Sequence, residues 1–222
     1  MAADATVARG TPAGKIGPKR HLKKAWTSVR AFFYAIIRAM KTALVPLADG
    51  FEDIEAVAVI DVLRRGGVEV VTASLSPDRS VVSAHGIRME TDASLPDVID
   101  DRWDAIVLPG GGEGTANLLA CEALIVRLRR QKFEDGGYLC AICAAPTVLA
   151  AADVLENEDV TCYPSCAEEM GRPIADAPAV ADGQIITGRG PGAAITFALA
   201  VLAHLVGENA AHAVAAGMVT QL

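Results

Sequence analysis

The chain has 222 residues, 52% of them apolar and 21% charged, enough to bury one full-sized core. A net charge of −7 and the lack of any nucleic-acid-binding motif argue against nucleic-acid partners, and no apolar run approaches the roughly 20 residues of a membrane-spanning helix. Five cysteines, an odd number in a chain too large to need staples, point to a reducing compartment.

Charge divides the chain near residue 40. Residues 1–40 hold eight Lys or Arg and one acid, Asp4, whereas residues 41–222 hold twelve bases and 26 acids, a balance of +7 against −14. The expectation is a basic N-terminal extension, 1–40, on one acidic domain, 41–222. In the extension Trp26, Val29, Phe33, Ile36, Ile37 and Met40 recur at helical spacing beside Lys23, Lys24, Arg30 and Arg38, the pattern of a basic amphipathic helix. Three readings compete: a transit peptide to a plastid or mitochondrion, a membrane-surface helix, or a stretch upstream of a true start at Met40, which would leave a cytoplasmic protein.

From Lys41 strands alternate with helices. Ala43 to Leu47 is a buried strand, Ala48-Asp49-Gly50 a tight loop, and Phe51 to Arg65 a helix with Ile54, Val57, Ile60 and Leu63 inward. Val68 to Ala73 and Ser80 to Ala84 read as strands, with His85-Gly86 turning the chain after them. Asp104 to Pro109 is a buried strand running into the glycine-rich loop Gly110 to Gly114, after which Thr115 opens a helix with Leu118, Ile125 and Leu128 inward. The apolar run after Gly136-Gly137 is a further strand running into Cys143, and Ala144 to Ala152 follows at helical spacing. Asp159 to Tyr163 and Gln184 to Thr187 follow as strands, with a short helix from Pro164 to Met170 between them. Two apolar helices, Ala193 to Val206 and Glu208 to Met218, close the chain. The alternation predicts a doubly wound α/β domain, a mostly parallel sheet covered on both faces.

Within this frame Cys143 falls at a strand-to-helix corner, where a side chain projects from the carboxyl edge of the sheet and helix-opening amides favour negative charge. A nucleophilic cysteine needs an adjacent base or a lowered pKa. Of four histidines only His85 lies in a core loop, so the alternative partner is a carboxylate beyond the first strand: Glu52, Asp53 or Glu55. Spacing does not choose between Glu52 and Glu55, and solvated acids at a helix N-terminus are the plainer reading. The Gly110 to Gly114 loop lacks the Gly-Lys-Ser/Thr of a phosphate loop and the third glycine of a dinucleotide fingerprint, so its amides are candidates for binding an oxyanion rather than a nucleotide. Cys140-x2-Cys143 and Cys162-x3-Cys166 approach the spacing of a four-cysteine zinc site, but Cys140 belongs to an apolar strand rather than a polar turn. Cys162 and Cys166 are also candidates to resolve an oxidised Cys143.

Ala43 to Glu55, Leu108 to Gly111, Ala141-Ile-Cys-Ala-Ala-Pro-Thr147 and Thr187-Gly-Arg-Gly-Pro-Gly192, in that order, resemble the ThiJ/PfpI family, closest to its Parkinsonism-associated deglycase branch. The resemblance implies a flavodoxin-like, class I glutamine amidotransferase-like fold and a homodimer. It implies no cofactor and no metal. Cys143 would be the nucleophile and Glu55 the protonated glutamate that hydrogen-bonds it, with the Gly111 and Ala144 amides forming an oxyanion pocket. Arg65 matches an arginine near the dimer interface, and His85 stands where relatives often carry an arginine. Tyr163 replaces a histidine of the branch, and Ala144 occupies the position where proteolytic relatives place a histidine, which disfavours a peptidase. The implied activity is a glyoxalase or deglycase acting on glyoxal, methylglyoxal, or glycated protein or nucleotide. A sensor or chaperone working by Cys143 oxidation is the alternative.

Overall fold

The computed structural model describes residues 40–220, so the expected amphipathic extension lies outside the described residues except for Met40. The first half of the domain runs β1 (Thr42–Leu47), α1 (Asp53–Arg65), β2 (Glu69–Ser74), β3 (Ser80–Val82), β4 (Arg88–Glu90), β5 (Ala93–Ser94) and α2 (Leu95–Val98). It continues through β6 (Ala105–Leu108), α3 (Gly112–Ala120), α4 (Glu122–Arg130), β7 (Tyr138–Ile142) and α5 (Pro146–Ala151). The last elements are β8 (Ala179–Asp182), β9 (Ile185–Gly188), α6 (Ala194–Val206) and α7 (Glu208–Gly217).

Seven strands form one sheet in the order β5-β2-β1-β6-β7-β9-β8, parallel except for the β8–β9 edge pair. The central order is flavodoxin-like, and β3 and β4 make a separate antiparallel hairpin. Because helices cover both faces, each strand sends alternate residues into different cores. Ala43, Val45 and Leu47 of β1 join Cys140 and Ile142 of β7 in one cluster with α1 and α6. Leu44, Leu139 and Ala141 join the other, with Leu118, Leu124, Leu128 and Leu149. This two-sided burial is why the strands read as unbroken apolar runs.

Helix α1 is rotated from the expected register. Its buried residues are Glu55, Ala56, Val59, Val62 and Leu63, while Ile54 and Val57 are 58% and 50% exposed. The inward stripe begins with a carboxylate, which an apolar-periodicity argument passes over. The helix expected from Thr115 starts at Gly112 and is broken at Cys121, whose ψ of 90° is not helical. Residues 159–163 form no strand, because the outer edge of β9 is taken by β8 and Thr161 N–H donates to the Thr187 hydroxyl at 2.8 Å rather than to a backbone ladder. The segment after Pro164 is a single 3-10 turn, Pro164–Cys166.

Sheet order changes direction about β1: β2 lies to one side and β6 to the other. The loops leaving β1 and β6 therefore diverge and open a crevice at the carboxyl edge, the usual ligand position in doubly wound sheets. They are tied across it by Glu52 N–H donating to Gly110 C=O at 3.0 Å and Gly114 N–H donating to Gly50 C=O at 3.1 Å.

Candidate active site

β7 ends at Ile142, and Cys143 turns the chain with φ 64°, a left-handed conformation that costs a non-glycine residue about 1–2 kcal/mol. The strain is held by two backbone bonds. Cys143 N–H donates to Gly188 C=O at 2.9 Å, and Tyr163 N–H donates to Cys143 C=O at 2.7 Å. The conformation aims the thiol back across β6 toward α1, where it is 8% exposed.

There it meets Glu55, in the first turn of α1 and fully buried. Glu52 caps that helix, its Oε2 accepting from Glu55 N–H at 2.7 Å, which fixes the backbone of the turn. Glu55 Oε2 accepts from Gly110 N–H at 2.8 Å, the Cys143 side chain lies beside the carboxyl, and Oε1 has no hydrogen-bond partner. Two glycines make this approach possible. A Cβ on Gly110 would stand 2.8 Å from both Cys143 Cβ and Glu55 Oε2, and one on Gly111, at φ 96°, would stand 2.2 Å from Gly50 C=O.

Burial raises the Glu55 pKa to about 7, against the Gly110 hydrogen bond and the neighbouring Cys143 thiol, with the Glu52 charge adding to the rise. Burial likewise pushes the Cys143 thiol up to about 12, helped by the Glu55 charge, while the backbone amides of Ala144 and Gly111 that face it pull the other way. The pair thus resists a second negative charge. Once Glu55 is neutral its repulsion of a thiolate is gone and its proton can be donated to the sulfur, so the expectation of a carboxylate-assisted thiolate applies to that protonation state. The two amides that face the sulfur equally face an oxygen anion formed beside it.

Comparison with known proteins gives this arrangement its family, with residues 41–204 matching the DJ-1/PfpI family. The chain belongs to the DJ-1/PfpI family. It is 39% identical over 181 residues to Drosophila melanogaster protein dj-1beta, covering 80% of this chain and 96% of that one. The crystal structure of Drosophila melanogaster DJ-1beta superposes with a TM-score of 0.79 at 38% identity, covering 82% of this chain and all of that one. A Caenorhabditis elegans protein named glutathione-independent glyoxalase DJR-1.2 is 37% identical over 175 residues, covering 77% of this chain and 92% of its own length. Oxidized Toxoplasma gondii DJ-1 has a TM-score of 0.78 at 32% identity, covering 82% of this chain and 100% of that chain.

In this DJ-1/PfpI chain Cys143, Glu55, Gly111 and Ala144 are gathered at one point. Tyr163 adjoins it through its backbone, and its half-exposed ring lines an open cavity of about 430 Å³ with Pro178, Arg189 and Pro191. Arg65 is not gathered there within one copy of the chain: it pairs with Asp61 at 2.7 Å, ten residues and roughly 15 Å along α1 from Glu55. His85 stands at the rim, Nδ1 2.7 Å from Asp53 Oδ2. Sequence reasoning missed the bond from Gly110 N–H and the partnership of Asp53 with His85, since neither follows from spacing along the chain. The four cysteines of the zinc and resolving readings divide between the two core clusters. Cys140 and Cys143 pack on one face of the sheet, and Cys162 and Cys166 on the other.

Proposed function

We propose that this chain is a cofactor-free glyoxalase and deglycase in which Cys143 and Glu55 carry the chemistry. The observation that supports it most is a fully buried carboxyl, with a pKa near neutrality, beside a thiol that two backbone amides also face. The thiol adds to the aldehyde carbon of glyoxal, methylglyoxal or an early glycation adduct, giving a hemithioacetal whose oxygen lies against the Gly111 and Ala144 amides. Glu55 removes the hydrogen from that carbon as a proton and returns it to the neighbouring carbon, and water releases the hydroxy acid and the thiol. A carboxyl with pKa near 7 suits both halves of this transfer, because it can hold and release the proton at neutral pH. The C. elegans relative's name supports the glyoxalase half; the deglycase half extends the same addition to an adduct on a protein or nucleotide amine.

The test is conversion of methylglyoxal to lactate by wild type, Cys143→Ala and Glu55→Gln. Both variants are expected to lose activity, by at least about 10²-fold for Glu55→Gln. Undiminished turnover by Cys143→Ala would refute the mechanism.

A second reading is supported by the oxidized state of the Toxoplasma relative. Oxidation of Cys143 to a sulfinate would place oxygens against the same two amides and Glu55, making the site a sensor. Mild peroxide followed by peptide mapping tests it: a gain of two oxygens anywhere but Cys143 counts against the sensor.

We further infer a homodimer. Ile54 and Val57 leave an apolar strip outward on α1, beside a cavity that Val57, Ile60 and Met89 line together with Asp61, Arg64, Glu90 and Asp92, and a second copy of the chain would cover it. Sedimentation of wild type and Val57→Lys tests this; a monomeric wild type would overturn it.

A further inference from the structure

The glyoxalase reading has a proton balance that the buried pair cannot close alone. Methylglyoxal and water give the lactate anion and one proton, so each turnover must export a proton to solvent, yet Glu55 is fully buried. A route outward starts at Glu52, 8% exposed, which caps the Glu55 amide and is the charged group outside the pair that Glu55 senses. A Glu52 carboxylate oxygen, an Asp53 carboxylate oxygen and a His85 ring nitrogen all lie within 4.8 Å of one another. His85 then reaches water, its side chain 73% exposed.

The local chemistry orients the imidazole. Burial opposes the Asp53 charge, but hydrogen bonds from Ser83 and His85 hold its carboxyl below the usual range, so Asp53 is an acceptor only. Nδ1 of His85 therefore carries the hydrogen at the 2.7 Å contact, and Nε2 is left as the free base of the neutral ring. The hydrogen bond to Asp53, its charge and that of Glu52 all raise the imidazole pKa, against slight desolvation, and Asp53 and Glu52 are the two charged groups felt there. Ser83 Oγ donates to Asp53 rather than to His85, so the three do not form a hydrolytic triad.

We propose that the Asp53–His85 pair, reached through Glu52, is where Glu55 exchanges its proton with solvent, making His85 a proton-transfer residue of the site. The inference rests on the glyoxalase reading. Glu55, holding the proton taken from the hemithioacetal carbon, either returns that same hydrogen to the adjacent carbon or first exchanges it along Glu52 and His85. The thioester formed after return is cleaved by water, which restores the thiol and releases the acid, whose proton leaves by the same route. No electrons are exchanged with any outside reagent.

Turnover of methylglyoxal in deuterium oxide reads this partition directly, as deuterium on the carbon next to the lactate carboxyl, measured by NMR for wild type, His85→Gln, Asp53→Asn and Cys143→Ala. The expected result is deuterium in the wild-type product and an exchange-to-return ratio lower on the order of tenfold in His85→Gln, restored by added imidazole. Asp53→Asn, which no longer fixes the tautomer, moves the ratio in the same direction. Because His85 is exposed, a merely structural role would leave the isotope ratio unchanged. Cysteine-dependent turnover with equal deuterium in wild type and His85→Gln, or full retention of the substrate hydrogen by wild type, overturns the exchange route alone. No lactate from wild type, or as much from Cys143→Ala, overturns the glyoxalase reading and the route with it.

Discussion

Replacing Glu55 by Gln should stabilise the protein above neutral pH while removing its activity. Glutamine keeps an oxygen to accept from Gly110 N–H and an amide to donate toward Cys143, so the shape of the site is preserved and the charge is not. In the wild type the Glu55 pKa rises from 4.5 to about 7 on folding. Below pH 4.5 both folded and unfolded chains keep this proton, and wild type and variant are alike in this respect. Between 4.5 and about 7 the unfolded chain gives it up while the folded one holds it, so the folded state binds more protons and wild-type stability falls as pH rises. Two to three pKa units at 1.36 kcal/mol each amount to about 3 kcal/mol by pH 8. For a domain of this size that is on the order of 6–10 °C in melting temperature. Melting followed by circular dichroism at pH 5 and pH 8 isolates the effect, since other titrating groups cancel in the difference between variant and wild type. Glu55→Gln is expected to gain about 2–3 kcal/mol on wild type between the two conditions. A difference that does not change with pH, or that grows toward acid, would refute a buried, neutral Glu55.

Asp135 is 4% exposed and meets three arginines, Arg127 at 3.1 Å, Arg102 at 3.5 Å and Arg130 at 3.6 Å, so Arg127→Ala removes the nearest and most buried partner and should cost about 1–3 kcal/mol in chemical denaturation with the catalytic rate of the folded fraction unchanged. A loss under about 1 kcal/mol would mean that Arg102 and Arg130 suffice to hold Asp135. Gly110→Ala should abolish methylglyoxal turnover, because its Cβ needs the space between Cys143 and Glu55; activity within about twofold of wild type would show the loop can move aside. Tyr163 holds Cys143 through its backbone amide and its side chain is 45% exposed, so Tyr163→Phe should change stability by less than about 0.5 kcal/mol. A larger loss in thermal melting would assign the hydroxyl a structural role.

Much of the strand and helix pattern was legible because a sheet buried on both faces demands unbroken apolar runs, and β1, β6 and β7 supply them at the expected positions. Local sequence also placed Cys143 at a corner, since an apolar strand running into Ala-Ala-Pro-Thr leaves one position for the turn. The rotation of α1 was not legible. Periodicity counts apolar residues, and here the first buried position of the stripe is Glu55, which takes its place from a thiol 88 residues later in the chain. The edge strand β8 was hidden for a related reason: none of its four residues, Ala-Val-Ala-Asp, is buried, and so short an alanine-rich run carries little strand signal.

The candidate site shows the same division. Sequence alone determined which residue types stand at the ends of β1, β6 and β7: three acids, a run of glycines and a cysteine. Resemblance then singled out Glu55. Tertiary structure decided what these residues are to one another, because sheet order brings the three strand ends side by side and two glycines without Cβ atoms let a carboxyl, a thiol and two amides meet. Charge state was decided there too. Whether a glutamate near a helix start is a solvated acid or a proton carrier with a pKa near 7 depends on burial, which is a property of the packed fold and not of local sequence.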